Sequence, residues 1–184
     1  MKEKNMRVCP VEIAGSLDNI FRKWIHNPKK ILGEYVKEGM IVLDIGCGSG
    51  LFSREMAKMI GRSGKVIAAD LQEGMLEKLK DKIQGTEIER RIKLHKCEED
   101  EIGISEKVDF VLAFWMLHVI PNQEKFFEEI KSILKSNGKI FIIEPKFHVS
   151  RQAFEEAINK AEKIGFKPIE KPKVFLNRTM VLRK

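Results

Sequence analysis

Three glycines at alternate positions, directly after a short apolar run, constrain this chain more than any other feature. The run spans Met40 to Leu43, and the sequence continues Asp44-Ile45-Gly46-Cys47-Gly48-Ser49-Gly50 before apolar residues resume at helical spacing. Glycine permits positive φ and leaves no Cβ in the way of a ligand, while the amide groups that begin the next helix point toward that ligand. The stretch therefore predicts a strand, a tight turn and a helix that together hold a nucleotide-like molecule.

An acid at the end of a second apolar run supports this interpretation. Asp70 follows Val66 to Ala69, about 20 residues after the glycines, where βαβ units place the acid that binds ribose hydroxyls. Dinucleotide sites have their third glycine one residue later, but here Leu51 occupies that position and Asp44 precedes the first glycine. A carboxylate there repels a pyrophosphate and attracts an ammonium or sulfonium group.

At these residues the sequence resembles the class I S-adenosylmethionine-dependent methyltransferases, whose first motif is an acid-x-G-x-G-x-G loop. The resemblance is strongest to the small-molecule branch that includes the ubiquinone and menaquinone C-methyltransferases. It implies S-adenosyl-L-methionine as the cofactor and transfer of its methyl group to a small molecule. Two alternatives stay open, an RNA or protein methyltransferase and a nonenzymatic cofactor-binding subunit.

The order of apolar segments predicts an α/β fold. Strands and helices alternate, which favours a doubly wound, Rossmann-like parallel sheet with helices on both faces. The resemblance implies seven strands in the order 3-2-1-4-5-7-6, the last antiparallel. Predicted strands are Met40–Leu43, Lys65–Ala69, Ile92–His95, Val108–Ala113, Lys139–Glu144, and a hairpin near Lys167–Ile169 and Thr179–Leu182.

The length of 184 residues predicts one domain. We expect an N-terminal helical arm or lid over residues 1–38 and the cofactor-binding core over residues 39–184. The arm contains a predicted helix with Leu17, Ile20, Phe21 and Trp24 on one face, and a second helix through Ile31, Leu32, Tyr35 and Val36. No other sizeable segment covers the substrate in this interpretation, so Trp24, His26 and Tyr35 are predicted substrate contacts.

The resemblance implies roles for individual residues. Asp44 approaches the methionine ammonium of the cofactor, Asp70 binds both ribose hydroxyls, and Leu71 and Met75 flank the adenine. The alternatives are that Asp44 only orders the glycine turn and that Asp70 only caps a helix. The predicted cofactor-binding residues are Asp44, Gly46, Cys47, Gly48, Gly50, Asp70, Leu71, Met75, Cys97, Glu98 and Phe114.

The stretch that contacts adenine in the resembled family departs from the family pattern. The family commonly reads G-D-A there and its aspartate accepts from the adenine amino group, but this chain has Cys97 in place of the acid and Glu98 one residue later. We expect Glu98 or a backbone group to make the adenine contact.

The residues that contact the methyl acceptor or remove a proton from it are predicted to follow the fourth and fifth strands. Phe114 and Trp115 follow strand four, where the family places cofactor-facing and substrate-facing residues, and Trp115 either contacts the substrate or packs beneath the loop. The segment is not N-P-P-Y or D-P-P-Y, so methylation of exocyclic nucleobase amines is disfavoured. His118 and Glu144 are the candidate general bases, and the alternative is that both are structural.

Charge and cysteine content limit which partners and which cellular compartment the sequence predicts. The net charge of +7 resides at the ends, since residues 1–30 carry 7 basic and 3 acidic side chains and residues 146–184 carry 10 and 4. Basic ends attract an acidic substrate, RNA or a membrane surface. A solvated lysine-rich surface is the favoured explanation, because the basic residues are interspersed with Glu, so nucleic acid is not favoured. Three scattered cysteines indicate neither a disulfide framework nor a metal site, and the absence of a signal-peptide core or membrane-spanning run predicts a cytoplasmic protein. The sequence leaves the oligomeric state open.

Overall fold

Seven strands form one sheet in the order β3-β2-β1-β4-β5-β7-β6 in the computed structural model, which describes residues 27–184. All neighbouring strands are parallel except β7, which is antiparallel to both β5 and β6. The predicted fold is therefore confirmed, including the C-terminal hairpin. The strands are β1 Ile41–Ile45, β2 Lys65–Asp70, β3 Ile92–Lys96, β4 Val108–Phe114, β5 Leu134–Pro145, β6 Lys167–Glu170 and β7 Asn177–Arg183.

Helices alternate with the strands, and three of the five α-helices in residues 27–184 begin at polar side-chain caps. The side chains of Asn27, Asn122 and Ser150 each accept a hydrogen bond from the backbone amide three residues further on, which satisfies an amide that the first helical turn leaves unpaired. The α-helices are α1 Pro28–Leu32, α2 Leu51–Met59, α3 Glu73–Ile83, α4 Gln123–Ile133 and α5 Arg151–Lys163. Within residues 27–184 no helix has the length and apolar content needed to span a bilayer.

The core lies on both faces of the central strands. In β4 every residue except Asp109 is buried, as expected of a parallel strand covered on both sides. One apolar cluster contains α4 and α5, and the other contains α1, α2 and α3. Because both faces are covered, a ligand site can form only at the ends of the strands.

Two predicted helix ends are wrong. The sequence predicts that the helix after strand four runs through Leu134 to Asn137-Gly138, but α4 ends at Ile133 and Leu134 begins β5 by pairing with Val108. The N-terminal helix was predicted to continue to Val36, but α1 ends at Leu32. The apolar residues beyond each end are still buried, because packing rather than helical continuity determines their burial.

The strand register brings the carboxyl ends of the inner strands to one edge. Ile45 pairs with Ala69 of β2 and Ala113 of β4, and Phe114 pairs with Ile143 of β5. The order in which successive strands are added to the sheet reverses between β1 and β4, and open α/β sheets bind ligands at such a point. The glycine turn, Asp70, Trp115 and Glu144 therefore lie along one edge.

Candidate active site

The three glycines of the β1–α2 turn all have positive φ, but they face different surroundings. A Cβ on Gly46 would lie 2.8 Å from Met116 Cβ, and a Cβ on Gly50 would lie 2.1 Å from Leu79 Cδ1. At Gly48, with φ +53, no atom lies within 4 Å of the Cβ position. Gly46 and Gly50 are therefore required for packing, whereas Gly48 leaves open space against the backbone.

The amides of the turn are used inside the protein. Those of Gly46 and Cys47 donate to Ala69 O, and that of Gly50 donates to Cys47 O. The amide of Gly48 donates to Asp70 Oδ2 at 2.8 Å. The turn thus offers a ligand close backbone approach at Gly48 rather than a set of unpaired amides within the turn.

Asp70 connects the turn to the β2–α3 loop. Its second oxygen, Oδ1, accepts from the amide of Gln72 at 2.9 Å, and the side chain is buried. Burial raises the pKa of the carboxyl, and hydrogen bonds from the Gln72 and Gly48 amides partly oppose that rise. The Leu71 amide also donates to this carboxylate. A carboxylate has about four acceptor sites, so Asp70 retains the capacity to accept from a hydroxyl group of a ligand.

Asp44 is the second buried acid of the site. It is almost completely inaccessible on β1, and Ser53 Oγ of α2 donates to its Oδ2 at 2.5 Å. Burial raises the pKa of Asp44 to about 7, and the nearby Asp70 adds to that rise. Among residues 27–184 neither acid forms a salt bridge.

Two buried carboxylates without a salt-bridge partner among residues 27–184 fit a ligand that is itself positively charged. An unpaired charge in a protein interior is costly, and a bound cation offsets that cost. The open face at Gly48 lies against one of these acids, because the Gly48 amide donates to Asp70. The donors and the space therefore fit a nucleoside that carries a cationic group.

The structure brings only some of the residues predicted to contact adenine close to Asp70. Cys97 is buried and its amide donates to Asp70 O at 3.0 Å, whereas the Glu98 side chain is 77% exposed and lies 3.7 Å from Lys96 Nζ. Burial raises the pKa of the Cys97 thiol to about 12, so it is a neutral group. Met75 is buried and Leu71 is half-exposed on the same loop and helix. The geometry favours the Cys97 segment over the Glu98 carboxylate as the neighbour of a base.

His118 and Glu144 meet although they lie 26 residues apart in the chain. A short 3-10 helix, Leu117–Val119, follows β4 and carries His118. The His118 ring nitrogen Nδ1 lies 2.5 Å from Glu144 Oε2. The other oxygen, Oε1, accepts from the Leu117 amide at 2.8 Å, and Glu144 is buried while the His118 side chain is 25% exposed. The pair thus joins a fixed internal acid to an imidazole that reaches solvent.

Trp115 occupies a strained position between the turn and the C-terminal hairpin. Its φ of 57° lies in the left-handed region, which is uncommon for a bulky side chain. Its indole Nε1 donates to Asn177 Oδ1 at 2.6 Å, and Asn177 Nδ2 donates to Phe175 O at 2.6 Å. Sequence reasoning missed Asn177, because a single asparagine in a hairpin carries no motif.

Aromatic rings form a continuous row along the same edge. Phe114 is buried, with its ring centroid 4.5 Å from that of Phe52 on α2 and 5.1 Å from that of Trp115. Trp115 in turn meets Phe147 edge-on at 5.7 Å. The row extends from the helix after the glycine turn to the loop after β5.

Tyr35 is the one predicted N-terminal substrate contact that falls within residues 27–184. Trp24 and His26 lie outside the described residues. Tyr35 is buried in the core, with its ring centroid 5.0 Å from that of Phe141 and 6.0 Å from that of Phe110. This placement favours a packing role for Tyr35.

Comparison with known proteins agrees with the geometry. Residues 36–172 match the sequence model of a family described as a methyltransferase domain. A crystal structure of a SAM-dependent methyltransferase from Aquifex aeolicus superposes with a TM-score of 0.83 at 28% identity, covering 95% of this chain and 98% of that one.

Two curated relatives have different acceptors in their names. A demethylmenaquinone methyltransferase of Lactobacillus johnsonii is 32% identical over 59% of this chain and 45% of its own length. A ribosomal protein L11 methyltransferase of Dictyoglomus turgidum is 32% identical over 77% of this chain and 43% of its own length. The aligned parts thus amount to less than half of each relative.

Proposed function

The chain belongs to the methyltransferase-domain family, and from this premise we propose that it transfers a methyl group from S-adenosyl-L-methionine to a small-molecule acceptor. One observation carries the proposal. The glycine turn contacts Met116, two residues before His118, so the nucleoside site and the His118–Glu144 pair adjoin at one sheet edge.

The residues that would hold the cofactor are those of the turn and the two buried acids. Gly48 provides close backbone approach, Asp70 accepts from hydroxyl groups, and Asp44 supplies negative charge. When bound, S-adenosyl-L-methionine supplies a methyl group that its sulfonium already activates. The protein must therefore align an acceptor with that group, a contribution worth roughly 7–11 kcal/mol in well-oriented reactions.

His118 is the proposed general base. We infer that His118 Nδ1 donates to Glu144 Oε2, so that in the neutral ring Nε2 is the nitrogen that accepts a proton. The Leu117 amide holds the other carboxylate oxygen and fixes the acid behind the ring. Glu144 is thus a positioning residue that sets the tautomer of His118.

A base is useful only for certain acceptors. A hydroxyl group or an acidic carbon must lose a proton for methylation to be complete, and general base catalysis contributes about a hundred- to ten-thousand-fold. The His118–Glu144 pair therefore supports an acceptor of this kind. The demethylmenaquinone methyltransferase relative supports a small molecule.

A ribosomal protein is the second candidate acceptor, because relatives named ribosomal protein L11 methyltransferase match 77% and 69% of this chain. RNA as the acceptor and a nonenzymatic role stay alternatives to this proposal, and the cytoplasmic location stays a prediction from the sequence.

The proposal is tested by measuring S-adenosylhomocysteine release from the purified chain. Three acceptor sets are compared, namely a library of hydroxylated and C–H-acidic metabolites, ribosomal proteins, and total RNA. We expect turnover with a member of the first set and its loss in His118→Ala. Turnover with ribosomal proteins alone would replace the small-molecule proposal. Cofactor binding without release in any arm would indicate the nonenzymatic role.

A further inference from the structure

Three large apolar side chains protrude from two loops beside the candidate active site. Phe147, in the loop after β5, is 69% exposed, and Phe175 and Leu176, in the β6–β7 loop, are 64% and 54% exposed. The amide of Lys146 donates to Leu176 O at 3.0 Å, which holds the two loops side by side. We call Phe147, Phe175 and Leu176 the apolar tip.

The loops are ordered rather than loosely extended. Asn177 Nδ2 donates to Phe175 O, and Thr179 Oγ1 donates to Pro172 O within the same hairpin. Leu176 is held at φ 56°, an unfavourable conformation that presents its side chain outward. A chain that holds apolar side chains in water with such support is typical of an interaction surface.

Lysines surround the apolar tip. Lys146 precedes Phe147, and Lys171 and Lys173 precede Phe175; all three are exposed. Two acids lie near this charge and offset part of it. Glu155 pairs with Arg151 and also interacts with Lys171, and Glu170 accepts a hydrogen bond from the Tyr35 hydroxyl. Residues 146–184 as a whole carry 10 basic and 4 acidic side chains.

The apolar tip and the positive charge near it together indicate which partner binds this surface. The N-terminal segment is a poor occupant on charge, since residues 1–30 carry 7 basic and 3 acidic side chains. A second copy would oppose the same positive surface. Exposed phenylalanine and leucine side chains with lysines nearby fit the surface of an anionic bilayer, where acyl chains accept the apolar groups and the headgroups attract the lysines.

We propose that the chain docks on anionic lipid bilayers through the apolar tip, with Lys146, Lys171 and Lys173 against the headgroups. RNA is the competing anionic partner, but the tip presents a leucine, which has no ring to stack on bases, and its flanking cations are lysines rather than arginines. Trp115 contacts Phe147 and connects the tip to the active-site edge. Docking would therefore place that edge at the membrane interface. The inference does not depend on the reaction proposed above.

The test measures sedimentation of the full chain with vesicles, without turnover. One vesicle is phosphatidylcholine alone, and the other contains phosphatidylcholine and phosphatidylglycerol in equal parts. We expect binding to the second at low salt. In Lys171→Glu/Lys173→Glu that affinity should fall by about thirtyfold or more, since each lysine near an anionic surface contributes roughly fivefold and the two new carboxylates add repulsion.

An apolar variant separates insertion from charge attraction. Phe175→Ser/Leu176→Asn keeps the charge, and asparagine tolerates the left-handed backbone at position 176. We expect this variant to bind anionic vesicles at least about tenfold more weakly, since it lacks the two apolar side chains that the proposal inserts into the bilayer. Lys80→Glu/Lys93→Glu, on α3 and β3 at the opposite edge of the sheet, is the matched charge control and should bind more tightly than Lys171→Glu/Lys173→Glu.

Calorimetry with S-adenosylhomocysteine verifies that each variant is folded. The proposal is overturned if the full chain does not bind anionic vesicles, if the tip variant binds them as the wild type does, or if both charge variants lose the same affinity. Binding of total RNA through the tip residues with no vesicle binding would assign the surface to RNA instead.

Discussion

The β1–β3 half and the β4–β7 half of the sheet edge are built differently. In the first half, Gly48 and Asp70 are joined across 22 residues of chain, the turn amides are paired internally and the acids are buried. In the second half, contacts span 26 residues from His118 to Glu144 and 62 from Trp115 to Asn177, and aromatic side chains reach solvent. We call the first half closed, because its polar groups are buried or paired around the space at Gly48, and the second half open, because its side chains reach solvent.

This difference separates binding from chemistry. A preformed cradle with little exposed polar surface binds a constant ligand, whereas an open edge with one oriented imidazole acts on a variable one. Variants in the first half should therefore change cofactor affinity, and variants in the second should change turnover or acceptor KM. Each prediction below tests that division.

The largest effect is expected at the His118–Glu144 pair. Glu144→Gln places an amide, which donates through its NH₂ group, opposite His118 Nδ1, so the favoured tautomer carries its proton on Nε2 and cannot act as a base. We expect kcat to fall by about a hundred- to ten-thousand-fold in Glu144→Gln and in His118→Ala. Steady-state kinetics and calorimetry check that the cofactor Kd changes little.

His148→Ala provides the matched control. The His148 ring lies 5.7 Å from that of His118 and is exposed, but it does not contact Glu144 in the hydrogen-bond network described. Its removal should leave kcat within about threefold, well below the range of a lost base. Wild-type kcat in both Glu144→Gln and His118→Ala would show that the enzyme works by alignment alone.

The next largest effect is expected at Gly48, in the closed half. Gly48→Ala adds a methyl group to open space, so stability should fall only by the left-handed backbone cost of about 1–2 kcal/mol. The same methyl obstructs the ligand, and cofactor affinity should fall about ten- to a hundredfold, the size of a typical overpacking penalty. Calorimetry and thermal unfolding measure the two quantities.

Gly50→Ala is the counterpart with the opposite pattern. Its Cβ would lie 2.1 Å from the fully buried Leu79 side chain, so the cost falls on folding, at about 1–3 kcal/mol beyond the backbone cost. If Gly48→Ala destabilised the protein as much as Gly50→Ala and left affinity intact, the turn would not be the ligand cradle.

The two halves also differ in how much of their structure could be predicted from the sequence. Alternate glycines and an acid at the next strand end lie within one βαβ unit, so their spacing predicted that Gly48 and Asp70 lie at the same end of the sheet, although not the hydrogen bond between them. His118 and Glu144 were both predicted, but their contact depends on how the 3-10 helix lies across β5. Asn177 has no local signal, because its role arises only when the hairpin folds against Trp115. The predicted helix end was wrong at Leu134 for a similar reason, since strand pairing with Val108 overrides the helical pattern.

A smaller effect is expected from the pH dependence of cofactor binding. The pKa of Asp44 is raised to about 7 in the free protein, so the acid is largely protonated below that pH. A cationic ligand favours the carboxylate, so binding releases a proton and affinity rises with pH up to about 7. Between about pH 5.5 and 7.5 we expect an increase on the order of tenfold, measured by calorimetry.

Two controls isolate Asp44 in that measurement. Asp44→Asn should remove most of the rise, and a thioether nucleoside that lacks the amino acid group should bind without it. The folding stability of the free protein should move the opposite way. An acid whose pKa is higher folded than unfolded binds more protons when folded, so stability falls as pH rises from about 4 to about 7. An unchanged pH dependence in Asp44→Asn would remove Asp44 from the site.

The smallest effect is expected at Asn177, in the open half. Asn177→Ala removes the acceptor of the Trp115 indole and the donor to Phe175 O, and the loss of buried partners costs about 1–3 kcal/mol. Thr179→Val is the matched control, since Thr179 is also buried and also bonds the β6–β7 loop, through Pro172 O, but does not hold the indole. Both variants should lower Tm by a few degrees, at about 2–4 °C per kcal/mol for a chain of this size. Only Asn177→Ala should raise the acceptor KM, by a few-fold, because only that variant frees a ring on the edge where the acceptor is proposed to bind. Equal KM values in the two variants would make Trp115 a packing residue and restrict the acceptor site to His118 and its neighbours.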